Sequence, residues 1–178
     1  MSDIAVNGSE QKKSKKKRTA GSLAAEFFIR IAVTVLFVWL MITFVTGIYI
    51  CHGDSSYPMI KDGDLCITLR PAKPHQGDLI ACRTDDGVRF MRVIAFGGDT
   101  VDFADQRVIV NGSGIYEDVV YPTSAEGADI SFPYTVPDDT FFVLNDHRGD
   151  VSDSRTFGGI SADDYKGKII FVMRRRGF

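Results

Sequence analysis

Three cysteines, three histidines and one tryptophan in 178 residues leave little room for several kinds of chemistry. An odd and sparse set of cysteines cannot staple a small domain. His52, His75 and His147 stand at no metal-ligand spacing and no Cys-x-x-Cys occurs, so neither a metal nor a cofactor is expected. Long amphipathic helices and internal repeats are missing too. A net charge of −2 hides an asymmetry, for residues 1–30 carry +4 and residues 51–178 carry −6. Because the only stretch long enough to fold is acidic, a nucleic-acid partner is disfavoured.

What the chain does have is one long apolar run. Residues 31–50, IAVTVLFVWLMITFVTGIYI, hold no charge, and at ~1.5 Å per residue such a run spans about 30 Å, the thickness of a bilayer's hydrocarbon. Before it stands KKSKKKR at 12–18, and basic flanks stay on the cytoplasmic side. The expected organisation is a disordered basic cytoplasmic tail over residues 1–26, a single transmembrane helix over 27–50 with Tyr49 as an interfacial ring, and one extracytoplasmic domain over 51–178. The run is too long for the apolar part of a cleaved signal peptide, and no small-x-small site follows it. Bulky Ile48, Tyr49 and Ile50 before Cys51 also rule out a lipoprotein cleavage site. A bacterial cell membrane suits an exported domain with so few cysteines.

Beyond residue 51 the hydrophobic period becomes alternating. LCITLR (65–70), DLIACRT (78–84), VRFMRVIAF (88–96), TVDF (100–103), RVIVNG (107–112), FFVLND (141–146) and KIIFVM (168–173) read as strands. Gly-Asp pairs at 63–64, 77–78 and 98–99 mark turns, and residues 104–106 suit a hairpin tip. Residues 113–135 are weakly patterned and read as an excursion from the sheet. The fold class is all-β, barrel-like. Cys66 and Cys82 fall on segments that could neighbour each other, open to pairing or to life as buried thiols.

Two stretches could carry chemistry. In HGDSSYP (52–58) a serine follows Gly-x, where glycine permits an unusual backbone and close substrate approach. The same letters also make an ordinary turn. In NDHRGDVSDSR (145–155), Asp146 with Arg148 and Asp153 with Arg155 could form bidentate pairs that fix a loop.

The three pieces in this order resemble the type I signal peptidases, membrane-anchored serine endopeptidases that remove signal peptides from exported proteins. Their G-x-S-M-x-P-T is met by Gly53-Asp54-Ser55-Ser56-Tyr57-Pro58-Met59. Their K-R-V-I-G-x-P-G-D is met by Met91-Arg92-Val93-Ile94-Ala95-Phe96-Gly97-Gly98-Asp99, and their G-D-N-R-x-x-S-x-D-S-R by residues 145–155. The resemblance implies a β-domain lying against the membrane, with Ser55 as nucleophile and a substrate groove that includes Gly53, Tyr57 and Pro58. It implies exported precursors or their signal peptides, and the lipid bilayer, as partners, and Phe132, Tyr134 and Phe178 as apolar contacts with that bilayer.

The departures are as informative. Met91 stands where the family has its general-base lysine, and Val151 where it has the serine that orients that lysine. A thioether and an isopropyl group cannot take a proton at neutral pH. Arg89, on the same strand face as Met91, stays protonated in proteins. The expected function is therefore a signal-peptidase-type membrane protein, proteolytically impaired, that binds or places exported precursors. Family members encoded with surface pili make pilin subunits or a sortase candidate partners. The alternative is an active peptidase in which Ser55 uses an unrecognised base, with His52 and His147 as candidates.

Overall fold

The computed structural model describes residues 20–117 and 121–175. The chain divides into two units at Trp39/Leu40. The first contains α1 (Ala20–Leu40), which begins earlier than the sequence reading had it. Residues 20–26 were expected in the basic tail, but Ala20, Leu23, Ala24, Ala25 and Glu26 are strong helix formers and open the helix instead. The rest of that tail, residues 1–19 with the lysine run, lies outside the described residues. Gly21–Val45 has a mean hydropathy of 2.4 over 25 residues, is unburied, and is long and apolar enough to cross a membrane.

The far end of the expected span also moves. Met41–Val45 forms a π-helical turn, and residues 46–50 are not helix but strand β1 (Thr46–Ile50). It pairs antiparallel with β2 (Leu65–Leu69), from Thr46 opposite Leu69 to Ile50 opposite Leu65. Hydropathy does not separate the two states, because Thr46, Ile48, Tyr49 and Ile50 favour strands as well as apolar surroundings. The partner strand decides. Tyr49 accordingly turns inward, its ring edge-on to Phe90 at 6.5 Å.

The remaining strands are β3 (Leu79–Thr84), β4 (Gly87–Phe96), β5 (Thr100–Ala104), β6 (Arg107–Val110), β7 (Ser113–Gly114), β8 (Tyr134–Thr135), β9 (Thr140–Leu144), β10 (Ile160–Ser161) and β11 (Tyr165–Met173). A four-residue helix, α2 (Ser154–Phe157), interrupts them. All seven segments expected from alternation contain strands, and the domain is all-β. Seven strands form one sheet in the order β1-β2-β11-β3-β4-β9-β10, and four form a second in the order β7-β6-β5-β8. The hairpin between β5 and β6 turns on Asp105 and Gln106, both at positive φ (50° and 59°), the mirror-image turn that matches strand twist.

Two sites need the absence of a side chain. A Cβ on Gly97, where the chain leaves β4 for the second sheet, would stand 2.9 Å from the Pro137 carbonyl oxygen. At Gly167, in the irregular pairing of β11 with β3, φ is +128° and a Cβ would meet the Leu69 carbonyl oxygen at 2.9 Å.

Three apolar clusters fill the domain. One joins the two sheets through Ile94, Val101, Val108, Val136, Phe142 and Leu144. Phe132 and Tyr134 pack onto it, so the structure gives these two rings to the core rather than to a bilayer; Phe178 lies outside the described residues. A second cluster gathers Ile80, Cys82, Met91, Val93, Val143 and Ile160. The third is built on Cys51, Ile60, Cys66, Ala81 and Phe90. Cys66 and Cys82 are not on neighbouring strands, because β11 runs between β2 and β3. All three thiols are free and buried.

Burial, reinforced by the carboxylates of Asp62, Asp64 and Asp54, pushes the Cys51 thiol up to about 11. Burial also lifts Cys66 and Cys82 to about 12. The native state thus favours protonated thiols. Their contribution to stability is complete below the ordinary thiol pKa of 9.0 and is lost as pH rises through 11 and 12. Iodoacetamide at pH 8 is expected to leave the folded chain unmodified and to alkylate all three cysteines in denaturant. The melting temperature should fall between pH 9 and 11, with a shallower fall in Cys82→Ala.

Candidate functional site

The loop after β1 is closed at its neck by Cys51, whose N–H donates to the Asp64 carbonyl (2.8 Å) and whose carbonyl accepts from the Gly63 N–H (2.9 Å). Ile60, fully buried, plugs the loop's interior. Gly53 sits at φ +83°, and its N–H donates to Asp62 Oδ1 at 2.9 Å. Two further bonds carry the loop to its neighbours. Ser56 Oγ, buried, donates to the Phe90 carbonyl of β4 at 2.7 Å. The Ser55 carbonyl accepts the His147 N–H at 3.0 Å. Ser55 is therefore fixed by its backbone between β4 and the 145–155 loop. Its hydroxyl, half exposed, makes no hydrogen bond among the described residues. Tyr57 and Met59 stand out into solvent, and Lys61 Nζ lies 5.6 Å from the centre of the Tyr57 ring.

Met91 lies opposite Ile80 in the β3–β4 pairing. It is 0% exposed, inside the second cluster. Arg89, two residues back, reaches the 145–155 loop, where Nη2 donates to Ser152 Oγ at 2.9 Å and lies 3.5 Å from Asp150 Oδ2. Ser152 in turn donates to Asp150 Oδ1. Val151 is half-buried, its methyl groups 3.6–3.7 Å from where a Cβ on Gly127 would stand. Position 151 is thus backed by the 113–135 excursion, while Met91 belongs to a cluster without Val151. The geometry brings Ser55 to the 145–155 loop through its carbonyl; it offers the Ser55 hydroxyl no base among the described residues.

The loop's charges pair differently from the expectation in one case. Asp153 and Arg155 do form a buried bidentate pair, with Nε and Nη2 donating at 2.9 and 2.8 Å. Asp146 is bound not by Arg148 but by Arg92 of β4, at 2.7 Å through both Nε and Nη2. Arg92 stands opposite Leu144, so its fork meets a carboxylate just past the end of β9. Arg148 instead runs inward, its side chain fully buried, to Glu117 and to Thr123 Oγ1 at 3.4 Å. Both partners come from the excursion, which also places the Tyr121 ring 5.2 Å from that of His147 and the Ser124 carbonyl 3.3 Å from Arg155 Nη1. The excursion is a clasp over the site loop. Sequence reading missed Glu117, Thr123 and Tyr121, because nothing in their spacing announces a partner so distant along the chain. It missed the role of Ser56 because a second serine in a turn carries no signal.

Comparison with known proteins fits this arrangement. A sequence model described as "Signal peptidase, peptidase S26" matches residues 24–174. The chain is similar to the signal peptidase I S of Bacillus subtilis (strain 168), at 26% identity over 142 residues, covering 73% of this chain and 77% of the relative. Similarity to the signal peptidase IB of Staphylococcus aureus (strain Mu50) is 26% over 173 residues, covering 82% and 87%. Among solved structures, a signal peptidase I from Enterococcus faecalis V583 matches with a TM-score of 0.48 and 27% identity, over 56% of this chain and 98% of that one.

The clasp can be tested without any assay of activity. Glu117→Gln leaves the buried Arg148 guanidinium without its counter-charge and is expected to destabilise the domain by about 3 kcal/mol or more. Denaturant unfolding measures it. The double change Glu117→Gln, Arg148→Met should recover part of that loss, because no unpaired charge is then left inside.

Proposed function

The chain belongs to the signal peptidase, peptidase S26 family, and on that footing we propose that it is a proteolytically impaired member that binds exported precursors at the membrane and helps to place them. Signal peptidase I-type function, exported precursors as the substrate class and membrane anchoring follow from the family. The impairment rests on one observation, the burial of Met91 among Ile80, Cys82, Val93 and Val143 at the position where the family's lysine would accept the serine proton. Val151, packed against Gly127, supports the same reading, since the lysine's hydroxyl partner is gone along with the lysine.

Magnitudes favour this reading. A positioned base is worth ~10²–10⁴-fold, and removing one that works as a unit with its serine can cost about 10⁶. Backbone donors near Ser55 would leave about 10³–10⁴ over water, too little for secretory traffic. Binding does not need the base. Gly53, Tyr57 and Pro58 remain as one wall of a groove for extended peptide, held by backbone hydrogen bonds and shallow pockets. In this reading residues 1–26 begin on the cytoplasmic side, the apolar segment crosses once, and the β-domain works outside the bacterial cell membrane. Pilin subunits, handled beside a sortase, are the proposed clients.

One observation favours a second reading. The His147 N–H on the Ser55 carbonyl brings an imidazole to the neighbourhood of the serine, and catalytic hydrogen bonds often tighten only with substrate bound. Proteoliposomes holding the full chain distinguish the two. The impaired reading expects no cleavage of a precursor with a small-x-small site at a rate that depends on Ser55. Cleavage abolished by Ser55→Ala and by His147→Ala would establish the second reading in its place. Under the first, Met91→Lys with Val151→Ser should restore measurable cleavage, and site-specific crosslinking from Tyr57 should capture the uncut precursor.

A further inference from the structure

The β1–β2–β11 end of the large sheet has one side in the core and one side in the open. Tyr49, Cys66 and Val172 point into the third apolar cluster. Alternation leaves Ile48, Ile50, Leu65, Ile67, Phe171 and Met173 on the opposite side. Strand register then sets these six in two rows of three, Ile48–Ile67–Phe171 and Ile50–Leu65–Met173. Ile48 is 50% exposed, Ile50 54%, Phe171 51% and Met173 56%, and Ile170 at the neighbouring irregularity is 54% exposed. Scattered exposed apolar residues need no explanation, but a contiguous grid of them marks a surface that something covers.

Two features identify the cover. β1 follows the apolar segment with no linker, and the Val45 carbonyl at that segment's end accepts the Arg70 N–H at 2.9 Å. The sheet corner bearing the grid is therefore tied to the last residue of the membrane-length stretch. Cations also border the grid, with Lys168 opposite Leu69 beside the first row and Arg174 and Arg175 directly after Met173. Apolar side chains flanked by basic ones match the acyl–headgroup boundary of a lipid bilayer.

We propose that this face of β1, β2 and β11 lies on the bilayer surface, with Ile48, Ile50, Phe171 and Met173 in the acyl boundary and Arg174 and Arg175 on lipid phosphate. The proposal rests on the membrane anchoring and is independent of whether the site cuts or only binds. Such docking would hold the Ser55 loop, which leaves from the end of β1, at a set height above the lipid.

The test uses the full chain in vesicles of phosphatidylcholine and phosphatidylglycerol, without precursor, with the native Trp39 changed to Phe. Single tryptophans are then placed by Ile48→Trp, Phe171→Trp and, as an aqueous control, Tyr116→Trp, since Tyr116 is 95% exposed. Lipids brominated near the headgroup should cut the emission at positions 48 and 171 by about half or more and shift it to the blue, while position 116 stays unquenched. Acrylamide should quench in the reverse order. Equal acrylamide quenching at all three positions would overturn the proposal. So would protection of positions 48 and 171 from both quenchers, which would mean that a second copy of the chain covers the grid. Failure of precursor capture with the bromine pattern intact would count against the proposed function and leave this inference standing.

Discussion

The buried pair of Asp153 and Arg155 organises the site loop, and much of the domain's order depends on it. Both residues are sealed from water at 0% and 1% exposure. A lone charge at that depth would be prohibitive, so every polar edge has been given a partner. The Asp153 carboxylate takes both guanidinium bonds and also accepts the N–H of Asn145 at 3.0 Å and of Arg155 at 3.0 Å. The remaining guanidinium hydrogens go to the carbonyls of Arg148 at 2.9 Å and Asp150 at 2.9 Å. One ion pair thereby fixes where the chain leaves β9, the shape of the loop and the start of α2, for which Asp153 is also the cap. Everything that touches Ser55 from this side is carried on that scaffold.

Around it the charges act as ties between elements rather than as reagents. Arg92 joins β4 to the loop through Asp146 and reaches the Gly77 carbonyl at 2.7 Å. Arg89 joins β4 to Ser152, and Arg148 joins the loop to the excursion through Glu117. On the proposed reading the loss of lysine and serine has not left a hole. Methionine fills its place in an apolar cluster to 0% exposure, and the hydrogen-bonded link between β4 and the loop is made two residues away by an arginine. An amine left there without its hydroxyl partner would have carried a desolvation cost that a thioether does not.

The strands were legible because each buries one side, and alternation follows from that. The two-residue turn at Asp105-Gln106 was legible from its position between paired runs. β1 was hidden, because an apolar segment next to a membrane-length helix has no period of its own to distinguish it. Which carboxylate each loop arginine would choose was also hidden. Asp146 and Arg148 are neighbours in sequence, yet the partners that win, Arg92 and Glu117, arrive from other elements and depend on how the sheets fold together. At the site, Ser55, Met91 and Val151 could be aligned from motif letters. That Ser55 would be held by its carbonyl, and Ser56 by its hydroxyl, could not.

The clasp changes what a shared signature can be taken to report. Gly-x-Ser and the aspartate–arginine run of 145–155 read as marks of a reaction, yet most of their atoms here are occupied in holding one another. A loop whose arginines lie buried, each with a carboxylate in reach, cannot drift freely even if no bond is ever cut beside it, since any single replacement strands a charge. Resemblance over such a stretch therefore registers ancestry and architecture. Chemistry is written in the few side chains that the framework leaves idle, and in this molecule those are the ones that differ.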